Sequence, residues 1–374
     1  MRTHEPPRVL HVLRALDRGG VEKWLLDVLR NTPADAWRTE FLVHTTDPGA
    51  YDATAVALGA ALHQGPDTNR PLRYVTRLQR LLHDLGPFDV VHSHTHFYSG
   101  LVLCAADRAG VAVRIAQSHT NMPGPGGTVR CVYNGLMRRM IDRHATQRVA
   151  VSEQAATALF GATHHGPHVE LLPCGLDFSR YADLAPRAAL KQRLGIGDRT
   201  IVIGHVGRFD PVKNHEFLMD TFVALLGSGL DAHLLLVGTG ALQPAIERRA
   251  AELGVSEQCT FTGGHDDVSE LIGAMDLMVF PSLYEGFGLA PLEAQAAGVP
   301  VLASTAIPAE AEVVRGLLHR RELADGPDAW VAAAQTILET NLTPDRAQCA
   351  RSLQDSRFGA TQSVEHLARL YRLT

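Results

Sequence analysis

The chain has 374 residues, 45% of them hydrophobic and 20% charged, with a mean hydropathy of −0.02. At about 150 residues per domain that length reads as two domains or one large α/β unit, and the balance excludes disordered, collagen-like and disulfide-scaffold chains. The formal charge of −5 splits into +3 over residues 1–173 and −8 over residues 174–374, with no long basic stripe, so nucleic acid is excluded as the main partner.

The elements in chain order are short apolar runs alternating with amphipathic stretches, the pattern of β-α repetition over a parallel sheet. In the first half the spacing predicts strands at Val9–Leu13, Phe41–His44, Val90–His92, Val113–Gln117 and Arg148–Val151, with helices at Val21–Arg30, Leu72–Leu85 and Thr128–His144. The segment Leu172–Pro186, rich in Pro, Gly and Asp, reads as a linker. Strands then recur at Ile201–Val206, His233–Val237, Thr260–Thr262, Leu277–Phe280 and Val299–Ala303, between helices such as His215–Leu226, Leu242–Leu253 and Pro291–Ala297. The expected architecture is α/β: two doubly wound Rossmann-like domains, 1–172 and 173–355, facing each other across a cleft lined by β-to-α loops. A last helix within 356–374, with Val364, Leu367, Ala368 and Tyr371 on one face, is expected to pack back on the first domain.

No apolar run approaches the roughly 18 residues of a membrane span, and Met1–Pro7 lacks the apolar core of a signal peptide. Five cysteines (Cys104, Cys131, Cys174, Cys259 and Cys349) lie far apart with no C-x-x-C pair, which suits a reducing, cytoplasmic location. Of the 35 basic residues only three are lysines: Lys23, Lys191 and Lys213.

The most specific stretch is Phe280–Ser304, F-P-S-L-Y-E-G-F-G-L-A-P-L-E-A-Q-A-A-G-V-P-V-L-A-S. A strand runs into a glycine-containing loop, and a helix starts near Leu289–Pro291. Free amides at a helix start, approached closely at Gly286 and Gly288, make a site for a diphosphate. Carboxylates accept from hydroxyls rather than bind phosphate, so Glu285 and Glu293 on either side of those amides suit a nucleotide-sugar, hexose at one end and ribose at the other. A second constellation, G-H-V-G-R-F-D-P-V-K-N over Gly204–Asn214, places Arg208 and Lys213 on another β-to-α loop, where fixed cations meet the charge that builds on a departing diphosphate. Gly19–Gly20, ahead of the first helix, is either a turn closing over donor or acceptor or a plain turn, since the full G-x-G-x-x-G is missing. Histidines gather in D-V-V-H-S-H-T-H-F (Asp89–Phe97) and Q-S-H-T-N (Gln117–Asn121). Alternation of His92, His94 and His96 admits a metal site, but no carboxylate or cysteine accompanies them. A polar wall for sugar hydroxyls is the reading taken, with His94 first and His119 next. No Asp-x-Asp occurs to anchor Mg²⁺ or Mn²⁺ at a nucleotide diphosphate, so no metal and no cofactor beyond the sugar nucleotide is expected. A Gly-x-Ser-x-Gly elbow and a Walker loop are absent too.

Taken together, E-G-F-G-L with a second Glu eight positions on, R-F-D-P-V-K-N, L-P-C-G-L-D and the early Gly-Gly resemble family 4 of the retaining, nucleotide-sugar-dependent glycosyltransferases with the GT-B fold. D-V-V-H-S-H-T-H-F-Y-S-G-L and the stretch Ile307–Trp330 are similar to the bacterial exopolysaccharide-biosynthesis branch. The resemblance implies that Arg208 and Lys213 hold the donor diphosphate, Glu293 the ribose hydroxyls and Glu285 the transferred sugar. Amides of Phe287, Gly288 and Leu289 would complete the site, Val268 would contact the base through its backbone, and His94 would match a histidine near the reacting centre. Cys174 stands where the family usually has the Asn of P-N-G, a change expected to alter only the turn. S-T-A-I-P-A-E-A-E lacks the usual glycine-rich approach to a later Glu, so no role passes to Glu310 or Glu312. The expected reaction moves a hexose-type sugar, from a UDP-sugar by preference, onto a hydroxyl with retention. The acceptor stays open between a cell-surface glycan or lipid-linked glycan and a small natural product of the aminocyclitol type. Rival readings are a GT-B-like epimerase and a non-catalytic nucleotide-sugar-binding module. Thr128–His144 carries an apolar stripe (Val129, Val132, Tyr133, Leu136, Met137, Met140) beside Arg138, Arg139 and Arg143; it is either core or a peripheral contact with the inner face of an anionic membrane.

Overall fold

The computed structural model describes residues 5–121, 127–161, 169–340, 342 and 344–372. The chain divides into two units, Met1–Leu176 with Ala360–Thr374, and Asp177–Gly359. The breaks at 176/177 and 359/360 lie four residues beyond the expected 172/173 and 355/356.

Unit 1 holds strands β1 (Arg8–Leu13), β2 (Arg38–Val43), β3 (Ala61–Gln64), β4 (Val90–Ser93), β5 (Val113–Ser118), β6 (Gln147–Ala150) and β7 (Val169–Leu171). Its helices are α1 (Gly20–Asn31), α2 (Asp52–Ala57), α3 (Pro71–Leu85), α4 (Ser99–Arg108), α5 (Thr128–His144) and α6 (Glu153–Phe160). The sheet is parallel in the order β3-β2-β1-β4-β5-β6-β7. In such a sheet both faces are covered, which is why β1, β2 and β4 are almost continuously buried. On α3, Tyr74, Leu78 and Leu82 recur every fourth residue and are buried, whereas Arg73, Arg77 and Arg80 are exposed. They pack with Leu10, Leu42, Val91 and Val102 in one core.

Unit 2 begins with α7 (Arg187–Arg193). It continues through β8 (Ile201–Val206), α8 (His215–Gly227), β9 (Ala232–Val237), α9 (Gln243–Glu252), β10 (Cys259–Gly263), α10 (Ser269–Gly273) and β11 (Leu277–Phe280). Then come α11 (Leu289–Ala296), β12 (Val301–Ser304), β13 (Leu318–Arg321), α12 (Gly326–Glu339) and α13 (Arg346–Gln354). The parallel order β10-β9-β8-β11-β12-β13 repeats that of unit 1 from its first strand outward. Ile203, Leu234, Val279, Leu302, Phe222 and Trp330 centre its core. Lys191 is buried on α7, where its ammonium pairs with Asp276 at 2.7 Å and donates to the Thr200 carbonyl at 2.9 Å.

The last helix, α14 (Ala360–Leu370), belongs to unit 1. Its Ser363 hydroxyl accepts from the Trp24 indole of α1 at 3.1 Å, and Val364 and Leu367 are buried. The single apolar stripe expected on α5 is two stripes. Met137 and Ile141 face the core with Tyr133 and Met140 half-buried, while Val129, Val132 and Leu136 are 85%, 69% and 52% exposed. Residues 129, 132 and 136 lie about 80–180° around the helix from Met137 and Ile141, too far to share their contact.

Candidate functional site

In a doubly wound sheet the loops leaving the strands on either side of the order reversal diverge and leave a crevice for ligand. In unit 2 that reversal lies between β8 and β11, the strands that precede the two motif loops. The loop after β8 tightens into a short turn at Pro211–Lys213, whose amides at Val212 and Lys213 donate to the Asp210 carboxylate at 3.1 and 3.3 Å. The loop after β11 is tied to it by the Leu283 amide on the Val212 carbonyl at 2.8 Å. Across that seam Lys213 Nζ forms a direct ion pair with Glu285 Oε1, and it lies 4.5 Å from the Phe280 ring centre. Gly207 makes room for the lysine stem: a Cβ there would lie 3.1–3.2 Å from Lys213 Cε and Cδ. Arg208 is on the same loop with an exposed side chain.

The loop carrying Glu285 ends at Gly288, which caps α11 with φ +78°. A side chain there would be strained, and its Cβ would meet Ile307 Cδ1 at 2.4 Å. Gly286 and Phe287 are buried just before it, the Phe287 ring 4.7 Å from Phe358. Leu289 opens the helix, so amides without intrahelical partners lie between the two acids. Glu293, one turn on, is only 4% exposed and accepts from the Tyr181 hydroxyl at 2.7 Å. Burial, and then the Glu293 charge, hold that phenol well above its ordinary pKa, so it stays a donor. Val268 is buried at the start of α10. Its neighbour Asp267 pairs with Arg180 at 3.8 Å, which ties the start of α10 to the same short turn, Ser179–Tyr181, that holds Glu293. Tyr181 was missed by the sequence reading because it falls inside the presumed linker.

In unit 1 the reversal lies between β1 and β4. Gly19 has an extended φ of −163° that any residue adopts, so the Gly-Gly pair is a helix start with no left-handed requirement. His11 on β1 is paired in register with His92 on β4. His94 follows β4, its amide bonded to the Val12 carbonyl at 3.0 Å. Both of its ring nitrogens are engaged, Nε2 with His11 Nδ1 at 3.0 Å and Nδ1 with His119 Nε2 at 2.9 Å. His119 Nδ1 in turn lies 3.7 Å from Cys174 Sγ. Cys174 is therefore more than a turn residue, a correction to the sequence reading. His92 Nδ1 meets the Tyr371 hydroxyl at 3.0 Å. His96 leaves the group: the strand ends at Ser93, and His96 turns away with φ +53°. The trio that converges is instead His11, His92 and His94, with one nitrogen from each within 4.8 Å of the others. His11 was missed because one polar residue in an apolar strand carries no local signal. Burial lowers the pKa of His11 and of His119 to about 3, and burial together with the neighbouring rings holds His92 and His94 well below their usual range. All four are neutral imidazoles at neutral pH.

Comparison with known proteins bears directly on this arrangement. Residues 186–353 match the family described as glycosyl transferases group 1, and residues 18–180 match glycosyltransferase family 4. EpsF of Bacillus subtilis (strain 168) is 33% identical, over 98% of this chain and 97% of its own length. The chain belongs to glycosyltransferase family 4. This glycosyltransferase is also 33% identical to the lipopolysaccharide core biosynthesis mannosyltransferase LpsB of Rhizobium meliloti (strain 1021), over 53% of this chain and 58% of that one. Among solved structures, Anabaena HepE in complex with UDP-glucose matches with a TM-score of 0.77 at 19% identity, over 97% of this chain and 98% of that one. A glycosyltransferase from Rickettsia africae ESF-5 matches with a TM-score of 0.77 at 16% identity, over 99% and 98%. The glycosyltransferase thus has the GT-B fold, with two Rossmann-like domains. Among its described residues no helix is long and apolar enough to cross a membrane.

Proposed function

We propose that this glycosyltransferase moves a hexose-type sugar from a nucleotide-diphosphate sugar, UDP-linked by preference, to a hydroxyl acceptor with retention of configuration, in the synthesis of exopolysaccharide or another cell-surface glycan. The observation that carries the reading is the Lys213–Glu285 ion pair, which sets a cation and a hydroxyl acceptor side by side at the order reversal of the unit 2 sheet. An ammonium has three N–H donors, so Lys213 can hold Glu285 and a phosphate oxygen together. Arg208 adds a planar fork to the diphosphate, and the amides around Phe287, Gly288 and Leu289 receive its other oxygens. Glu285 accepts from hydroxyls of the sugar. Glu293, oriented by Tyr181, accepts from the ribose, and the backbone at Val268 meets the base. The preference for UDP rests on HepE, whose solved structure carries UDP-glucose.

In the proposed step the acceptor oxygen bonds to the anomeric carbon on the face from which the nucleotide departs. The bond from that carbon to the phosphate oxygen breaks, and the acceptor's proton passes to a phosphate oxygen of the leaving diphosphate. The protein supplies orientation and electrostatic stabilisation, with no metal or further cofactor. Gly20 is assigned to the donor, Gly19 and His119 to the acceptor, and His94 to the reacting centre. The exposed face of α5, Val129, Val132 and Leu136 followed by Arg139 and Arg143, supports a peripheral contact with an anionic membrane surface, where lipid-linked acceptors would be met.

A panel of UDP-, GDP-, ADP- and TDP-sugars scored by thermal shift identifies the donor, because a ligand at 100 times its Kd adds about 2.7 kcal/mol of stability. With that donor, Lys213→Ala is expected to lower kcat by about 10²–10³, the cost of one donor to a developing anion. A loss of no more than a factor of three refutes the assignment.

A further inference from the structure

We propose that Cys174, His119, His94 and His11 form one directed hydrogen-bonded relay, in which Cys174, His119 and His11 are positioning residues that fix which ring nitrogen of His94 carries its proton. The inference rests on the reading that His94 lies at the acceptor side of the transfer site.

The relay is contiguous: 3.7 Å from Cys174 Sγ to His119 Nδ1, 2.9 Å from His119 Nε2 to His94 Nδ1, and 3.0 Å from His94 Nε2 to His11 Nδ1. A neutral imidazole donates from one nitrogen and accepts at the other, so each link dictates the next. The thiol sets the sense. Burial pushes Cys174 far above the usual thiol range, so it keeps its S–H, and sulfur is a poorer acceptor than an imidazole nitrogen. Cys174 therefore donates to His119 Nδ1, His119 donates from Nε2 to His94, and His94 donates from Nε2 to His11. At the far end His11 Nε2 is buried with no hydrogen-bond partner, so no group there competes to set the sense. Trp24, anchored through its indole to Ser363, packs edge-on against His94 with centroids 5.9 Å apart and lies 5.7 Å from the His119 ring. It packs against both rings and limits their rotation.

The convergence of His11, His92 and His94 has the outline of a metal site. A metal needs a lone pair from His94, and both His94 nitrogens are already committed to neighbouring rings. The relay accounts for both nitrogens; an ion would have to break one link. What the relay gives the reaction is order. His94 and His119 are partly exposed, so an acceptor arriving at the pair meets two rings held in one tautomer and one orientation. The Cys174 position, where the family usually carries Asn, is thus the residue that sets the arrangement in this chain.

The test labels the full chain with ¹⁵N-histidine and reads the two-bond ¹H–¹⁵N pattern of each ring, which distinguishes N–H from bare nitrogen. His11→Gln, His94→Gln and His119→Gln assign the rings. The wild type is expected to show Nε2–H rings at all three positions. Cys174→Ala is expected to change the pattern at His94, a ring it does not touch, and to lower kcat about ten-fold at unchanged donor KM. Cys174→Asn, whose amide N–H can donate to the same nitrogen, is expected to restore both. A His94 pattern indifferent to Cys174→Ala in protein of unchanged melting temperature overturns the proposal. So does stoichiometric Co²⁺ binding that His11→Gln abolishes. Coupled rings without transferase activity on any donor support the relay and fault the functional reading. Activity with uncoupled rings faults the relay alone.

Discussion

Acidification from pH 7 to pH 5 should destabilise unit 1 by an amount the structure fixes. His11 is fully enclosed and His119 largely so, and burial brings each to a pKa of about 3 in the folded chain against an ordinary 6.5. The folded state therefore binds fewer protons than the unfolded chain. Stability is flat above pH 6.5 and falls as the pH drops from 6.5 toward 3. At pH 5 the unfolded chain has gained 1.5 pH units of protonation relative to 6.5, at 1.36 kcal/mol per unit, or about 2 kcal/mol for each ring. Two rings give about 4 kcal/mol; His96, brought to about 4, and His44, His92 and His94, lowered chiefly by burial, act in the same direction. That is a large share of the 5–15 kcal/mol typical of a domain. The ion-paired carboxylate Glu40, whose pKa is lowered, responds only below this window. Urea melts followed by tryptophan fluorescence report on the unit, since Trp24 and Trp37 are both buried in it. With m near 2 kcal/mol/M the midpoint should fall by about 2 M between pH 7 and pH 5. His11→Leu should remove about 2 kcal/mol of that loss between pH 7 and pH 5, whatever it does to the level. A midpoint that moves by less than about 0.5 M, or rises, would refute the enclosure of these imidazoles as neutral groups.

Tyr181→Phe removes the buried hydroxyl from the Glu293 carboxylate. A bond to a charged group is worth about 1.5–3 kcal/mol, so unit 2 should melt earlier, and donor affinity should drop about ten-fold as Glu293 loses its orientation. An unchanged donor Kd by calorimetry would separate Glu293 from the ribose. On α5, Arg139→Glu with Arg143→Glu reverses two exposed charges beside Leu136. At about 1 kcal/mol per charge near an anionic surface, co-sedimentation with anionic vesicles should fall to background, and equal binding by wild type and variant would remove the membrane contact.

The interior strands were legible because a parallel strand buried on both faces must be apolar throughout, as in Leu234–Val237 and Leu277–Phe280. The strands that escaped, β3 (A-L-H-Q), β7 (V-E-L) and β13 (L-H-R-R), all lie at sheet edges, where one neighbour is missing and polar residues are tolerated. The motif loops were legible for a different reason: glycines, cations and acids a few residues apart act on one ligand, so their signal is local. What stayed hidden is long-range pairing. Lys213 meets Glu285 across 72 residues, Tyr181 meets Glu293 across 112, and His11 meets His94 across 83. Nothing within a window around His11 distinguishes it from any polar residue on a strand. Only the sheet order, which sets β1 beside β4, makes it a neighbour of the D-V-V-H-S-H motif.

The two units repeat one strand order and place opposite electrostatics at its reversal. Unit 2 sets an ammonium against carboxylates, and unit 1 sets neutral imidazoles against each other. The contrast bears on where a proton can go in the proposed transfer. Placing it on His119, with a pKa of about 3, costs about 5 kcal/mol at pH 7. A terminal phosphate oxygen titrates near pH 6, so the same proton there costs about 1 kcal/mol. The difference, about 4 kcal/mol, is close to a thousand-fold in where the proton rests at equilibrium. It favours the departing diphosphate as the base even with histidines at the acceptor side. Enclosure therefore does not equip His94 and His119 as bases; it keeps them uncharged, so that in the proposed transfer the cations that answer the leaving group are Lys213 and Arg208.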